Sequence, residues 1–173
     1  TYRVLVLDGE VLGVLERRRP SVVGDGRSTV GELVLEEYAR RTNADDATGL
    51  KHFAVDLDCV YTVARSGRTI DAVLPAGDEL VIKTATNSNG PNENRTVEPP
   101  PAGIADAAVL AAAALGARIA GVDIVTTDPG RSLGETDGVV LDVNPVPALT
   151  HHYNVADESP TKVAVPILRS LLR

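Results

Sequence analysis

Two stretches decide the architecture, Gly121-Val122-Asp123-Ile124-Val125 and Val139-Val140-Leu141-Asp142-Val143-Asn144-Pro145. Both are rich in β-branched residues and carry isolated polar residues among apolar ones, which predicts strands over 121–127 and 138–144. Asp128-Pro129-Gly130 lies in the loop between them and has the composition of a turn. Side chains two apart on a strand point the same way, so Asp142 and Asn144 share a face. If the two strands pair as a hairpin, Asp123 joins them. Two carboxylates and an amide oxygen are then an all-oxygen set suited to a hard cation such as Mg²⁺. A charged residue inside an apolar strand is costly unless it is paired or metal-bound. Spacing alone also admits a purely structural reading, with Asp142 capping a turn, Asn144-Pro145 starting one, and Asp123 facing solvent from an edge strand.

Outward from this pair, Ile104 to Leu115 is Ala-rich and predicts a helix, with Asp106 near its positive end. The segment 86–103 is dense in Asn, Gly and Pro and is expected to be irregular, and a loop of that length in a compact domain is often functional. Leu80 to Lys83 reads as a strand after a turn at Pro75-Ala76-Gly77-Asp78. The runs 53–64 and 69–75 read as short β segments, and 41–49 as a polar loop. At the other end of the chain, Tyr2-Arg3-Val4-Leu5-Val6-Leu7 is a strand, and Asp8-Gly9 turns it into a second strand through Leu15. Val22-Val23-Gly24-Asp25-Gly26-Arg27 is a Gly-punctuated turn. A helix follows to about Arg40, capped by Ser28 or Thr29 with Glu32 in capping-box register and with Leu33, Val34 and Tyr38 as its inward stripe. The tail 161–172 reads as a closing helix carrying Val163, Ile167, Leu168, Leu171 and Leu172.

Composition narrows the function. The chain has 173 residues, 43% of them hydrophobic, with four Tyr, one Phe and no Trp, enough for one compact domain with an aliphatic core. Net charge is −7 and the only basic run is Arg17-Arg18-Arg19, so a nucleic-acid partner is not expected. No apolar stretch is long enough to span a membrane. The single cysteine, Cys59, excludes an internal disulfide and fits a reducing, cytoplasmic compartment. It is read as a buried, inert thiol in a β-like run rather than a nucleophile. His151-His152-Tyr153 invites a metal or acid–base reading, but adjacent side chains diverge and the segment follows a Pro-rich turn. The absence of Met and the abrupt start in a strand give the expectation that the chain is a piece of a longer protein.

Taken in order, these motifs resemble the carboxy-terminal lobe of the ATP-grasp superfamily, and within it the cyanophycin synthetase-like carboxylate–amine ligases. Leu141-Asp142-Val143-Asn144-Pro145-Val146-Pro147 resembles the family strand that ends in Glu-x-Asn and runs toward a Pro. Gly121-Val122-Asp123-Ile124-Val125 resembles the Gly-x-Asp strand before it, and Tyr2-Arg3-Val4 the Tyr-Arg strand. Val22 to Leu33 resembles a Val-x-Gly-Asp-Gly-x-x-Thr-x-x-x-Leu signature, and Thr69 to Gly77 the approach to a Pro-Ala-Gly-Glu turn.

The resemblance implies an α+β fold, a mainly antiparallel sheet flanked by helices. Residues 1–173 would form one lobe, with 20–78 as a lid-like insertion and 79–173 as a metal- and phosphate-binding core. It implies Asp123, Asp142 and Asn144 as Mg²⁺ ligands, and Arg3 and Lys83 as contacts to phosphate or acyl-phosphate. Asn87 and Gly90 would open a loop that holds the intermediate through backbone N–H groups, and Gly24 and Gly26 would be turn formers. The implied activity is ATP- and Mg²⁺-dependent amide or peptide bond formation on amino-acid or peptide substrates. An absent amino-terminal part of the same protein would grip the nucleotide, the isolated chain would be inactive, and a homo-oligomer would be possible. Two departures stand out. Asp142 replaces the usual Glu, and Gly90-Pro91 replaces a double Gly, which removes a backbone donor. Both favour the competing reading of a non-catalytic binding or dimerisation module. A third reading is an unrelated Mg²⁺-dependent phosphate enzyme.

Overall fold

The structure is a computed structural model, and it describes residues 1–43, 52–84, 93–156 and 160–172. The chain divides into two compact units, Thr1–Arg17 with Asn94–Arg173, and Arg18–Glu93.

The first unit is built on β1 (Tyr2–Leu7), β2 (Glu10–Arg18), β5 (Glu93–Thr96), β6 (Ile119–Val125) and β7 (Val139–Asn144), in the order β5-β2-β1-β6-β7. The β1–β2, β1–β6 and β6–β7 pairs are antiparallel. Asp8-Gly9 makes the first turn as expected, with both residues at positive φ. One face of the sheet is apolar: Val4, Val6, Val14, Ala120, Val122 and Ile124 pack on Ile104, Ala108 and Ala112 of α3 (Ala102–Ala114). Small side chains on α3 let the helix lie close to the sheet. Its apolar residues fall all round rather than in one stripe, as expected of a helix that rests on a sheet through alanines. On the opposite face, Leu5 packs with Val163 and with Ile167 of α4 (Ala164–Leu171).

The second unit holds β3 (Ser21–Val23) paired antiparallel with β4 (Glu79–Val81), and two helices. The first helix, α1 (Val30–Thr42), has the expected capping box between Thr29 and Glu32. Leu33 and Val34 are buried, whereas Tyr38 is exposed and sits edge-on to Phe53.

Three expectations are corrected. The run 53–64 does not form a strand: α2 spans Leu57–Arg65. Its Val, Tyr and Thr residues favour β structure locally, but Asp56 caps the helix by accepting from the Asp58 and Cys59 amides, and buried Cys59 and Val63 lie one turn apart. Capping and the 3.6-residue period prevail over propensity. Cys59 is therefore helical, and it is buried as expected. The run 69–75 forms turns with one isolated bridge, Val73 to Thr29. Finally, 86–103 is not wholly irregular, because β5 occupies part of it and α3 begins at Ala102.

The Val-x-Gly-Asp-Gly signature has a structural explanation. A Cβ on Gly24 would lie 2.1 Å from the Pro75 carbonyl oxygen, so only glycine fits there. Asp25 accepts from the Arg27 and Ser28 amides and the Ser28 hydroxyl. These donors, the Ser28 amide foremost, hold its carboxyl down to about 2. The motif fixes the entry to α1. Among the described residues, no helix is long and apolar enough to cross a membrane.

Candidate functional site on the polar face of the sheet

Strand alternation and register bring the polar residues of the first unit together. Arg3 lies opposite Leu15 on β2 and Asp123 on β6, and Asp123 lies opposite Asp142 on β7. This row runs across four strands on the face that looks away from α3. The neighbouring row on the same face is Gly13, Leu5, Gly121 and Asn144. Asp123, Asp142 and Asn144 thus share one face, as alternation requires. The edge-strand reading of Asp123 does not hold, since β6 lies between β1 and β7 and Asp123 is 8% exposed.

Asp123 is held by two arginines. Arg3 forms a fork, donating from Nε to Oδ1 at 2.5 Å and from Nη2 to Oδ2 at 2.6 Å. Arg17 donates from Nη1 to Oδ1 at 3.0 Å. Both guanidiniums are almost fully buried. Burial, and then the neighbouring Arg3, push the Arg17 pKa down, while Asp123 opposes that shift. The Arg17 Nη2 has no hydrogen-bond partner among the described residues. Gly121 makes room for this arrangement, because a Cβ there would stand 3.0 Å from Arg3 Nη1 and 2.9 Å from Pro147 Cβ. Sequence reading took Arg17 only as part of a basic run. Its phase with Gly13 and Leu15 on an alternating strand was the signal that it points to the same face.

The donor set is compatible with a hard cation. Two guanidinium N–H groups reach Oδ1 of Asp123 and one reaches Oδ2, and a carboxylate oxygen accepts about two bonds, so Oδ2 keeps a lone pair. Asp142 is exposed. Asn144 Oδ1 accepts one bond, from the Val146 amide, and keeps its second lone pair. Carboxylates directly opposite across strands repel each other unless a cation lies between them. No cluster of three or more His, Cys, Asp or Glu residues suited to a metal occurs among the described residues, so the set here is two carboxylates with the Asn144 amide beside them.

Lys83 belongs to the second unit, is 7% exposed, and donates to Asp56 Oδ1 at 2.8 Å. Asp58 Oδ2 lies 3.3 Å away. Burial opposes its charge, but Asp56 and Asp58 hold the ammonium pKa above its ordinary value. Within its unit, Lys83 ties the start of α2 to the end of β4. Asn87 and Gly90 lie outside the described residues. His152 is 1% exposed, and burial foremost, then Arg3, His151 and Arg17, lower its pKa to about 4.

Comparison with known proteins gives a consistent relationship. No family model matches the chain. It is 36% identical to cyanophycin synthetase from Trichormus variabilis over 98% of its own length and 19% of that protein's. It is 37% identical to the glutathione biosynthesis bifunctional protein GshAB of Mannheimia succiniciproducens over 73% of its length and 17% of that protein's. The chain thus spans only about a fifth of the curated relatives it matches. Among solved structures, a bifunctional glutathione synthetase from Pasteurella multocida superposes with a TM-score of 0.74 at 24% identity, covering 99% of this chain and 23% of that one. By sequence, along nearly its whole length, the chain is similar to a segment of the cyanophycin synthetases, and it shares its fold with a segment of a bifunctional glutathione synthetase.

Proposed function

We propose that this chain is the metal- and phosphate-handling part of an ATP- and Mg²⁺-dependent carboxylate–amine ligase acting on amino-acid or peptide substrates. The observation that supports this most is the convergence of Asp123, Asp142 and Asn144 on one sheet face beside a buried arginine pair, within a chain similar to cyanophycin synthetases. A substrate carboxylate oxygen would attack the γ-phosphorus of ATP, releasing ADP and leaving an acyl-phosphate. An amine would then attack the acyl carbon, forming the C–N bond as phosphate leaves and the amine loses a proton.

Asp123, Asp142 and Asn144 would hold Mg²⁺, which when bound neutralises phosphate charge during transfer. Arg3, fixed by its fork to Asp123, would contribute a pre-oriented positive charge beside anionic oxygen. This pre-organisation lowers the reorganisation needed at the moment of transfer. Lys83, Asn87 and Gly90 would contribute phosphate and intermediate contacts, and residues 20–78 would be the lid-like insertion. Nucleotide grip would come from a preceding part of the same protein, so the isolated chain should turn over little or nothing.

The shorter Asp142 in place of Glu favours a second reading, a binding or dimerisation module without turnover. The two readings part in one assay, ADP release by the whole polypeptide that carries this segment, with Mg²⁺ and ATP across a panel of amino acids and short acidic peptides. Amine-dependent ADP release that Asp123→Ala and Asn144→Ala both abolish supports the ligase. Unchanged nucleotide binding with no turnover in any variant leaves the binding module.

A further inference from the structure

The row Gly13, Leu5, Gly121 and Asn144 is stripped of side chains on either side of Leu5. The chain that leaves β7 runs across this bare row. Pro147 sits over Gly121, Leu149 packs on the cluster around Leu5, and His152 sits over Gly13. A Cβ on Gly13 would lie 3.2 Å from His152 Nδ1 and 3.2 Å from Thr161 Cγ2. The crossing ends in a short 3₁₀ turn, Leu149–His152, and the Thr161 amide donates to the His152 carbonyl. Its start is tied to Asn144, whose side-chain oxygen accepts from the Val146 amide.

His152 is the anomaly in this segment. It is 1% exposed, and its Nδ1 has no hydrogen-bond partner among the described residues. A buried polar atom without a partner is costly. The groups facing it are cationic or neutral: Arg3 from β1, Arg17 from β2, His151 from its own turn, and the uncharged Thr161. A neutral imidazole is accommodated there, whereas burial foremost, and then the neighbouring Arg3, His151 and Arg17, disfavour an imidazolium.

We propose that residues 145–152 are a strap keyed into the Gly13 notch by neutral His152, and that its docking positions Asn144 for cation binding. The second half rests on the metal reading above, and the first does not. His152 is a positioning residue that acts through the strap. Its pKa is near 6.5 when undocked and about 4 when docked. The undocked form therefore binds the extra proton, and falling pH favours release across that window. The docking equilibrium should change on the order of a hundredfold from one end to the other.

The test is hydrogen exchange of the full chain between about pH 7 and about pH 4, corrected for intrinsic exchange, with Mn²⁺ affinity measured alongside. The expected result is loss of protection in 145–152 on acidification and a parallel fall in Mn²⁺ affinity. In His152→Asn, which does not titrate here, protection should be flat with pH and only the carboxylates' own protonation should weaken Mn²⁺. A pH step that persists in His152→Asn, or flat protection in the wild type with Mn²⁺ still bound, overturns the strap. Strap release with no Mn²⁺ bound at any pH overturns the metal reading and its link to Asn144, while leaving the keyed strap supported. If His152→Asn does not fold, NMR titration of wild-type His152 decides. An apparent pKa near 6.5 for His152 overturns the proposal.

Discussion

The two faces of the central sheet are made by alternate residues of the same strands and solve opposite problems. Toward α3, Val4, Val6, Val14, Val122 and Ile124 are fully or almost fully buried in an aliphatic layer. On the other face, Arg3 and Asp123 are buried nearly as deeply, yet they carry charge, as does Arg17 beyond them. An apolar layer stabilises by area removed from water, roughly in proportion to that area. A buried ion cluster barely repays its own desolvation. The contrast teaches that the apolar face holds the unit together and that the polar face needs another reason to exist.

The sharpest way to break this comparison is Asp123→Ala. It would leave two buried guanidiniums without their carboxylate and should cost about 3–5 kcal/mol by denaturant unfolding. Replacing Arg3, Asp123 and Arg17 together with apolar residues of similar volume should recover most of that loss. If the triple variant is as unstable as the single one, the cluster is structural and the contrast fails.

Next in size is the acid response. The folded pKa of His152 lies below its unfolded value, at about 4 against 6.5, so the unfolded state takes up the proton first. Stability should therefore rise with pH across this window, by at most about 3 kcal/mol. Unfolding curves of wild type and His152→Asn at several pH values would show it, and equal slopes would refute it. On the apolar face, Ile124→Val should cost about 1 kcal/mol through a small cavity, with no effect on metal binding. The smallest stability effect is expected for exposed Asp142→Asn, within about 0.5 kcal/mol, although the same change should cost most of the cation affinity. A metal-neutral Asp142→Asn would remove the functional half of the comparison.

Much of this was legible in the sequence because alternation is a local signal. The β1–β2 hairpin, the β6–β7 pair, the Thr29–Glu32 box and the Ala-rich helix all followed from short-range rules. What failed were stretches where local preference and packing disagree. Leu57–Arg65 has strand-like composition, and its helix is decided by the Asp56 cap and by burial of Cys59 and Val63. That Asp142 and Asn144 share a face was readable from spacing, and the antiparallel register puts Asp123 on the same face. The Arg3–Asp123–Arg17 cluster was only partly readable, since strand phase gives the face of Arg17 but not its partner Asp123, 106 positions away in the chain. Lys83 was assigned a phosphate role by position along the chain, while its ammonium partners, Asp56 and Asp58, depend on α2 being a helix. Misreading that helix hid the pair.

The central claim is that the charged row on the polar face is a cation site, and the most direct test is to see where a cation binds. Mn²⁺ titrated into isotopically labelled chain should broaden the resonances of Asp123, Asp142 and Asn144 first, and Asp142→Asn should abolish the effect. Broadening centred elsewhere, or the same broadening in Asp142→Asn, would contradict the account.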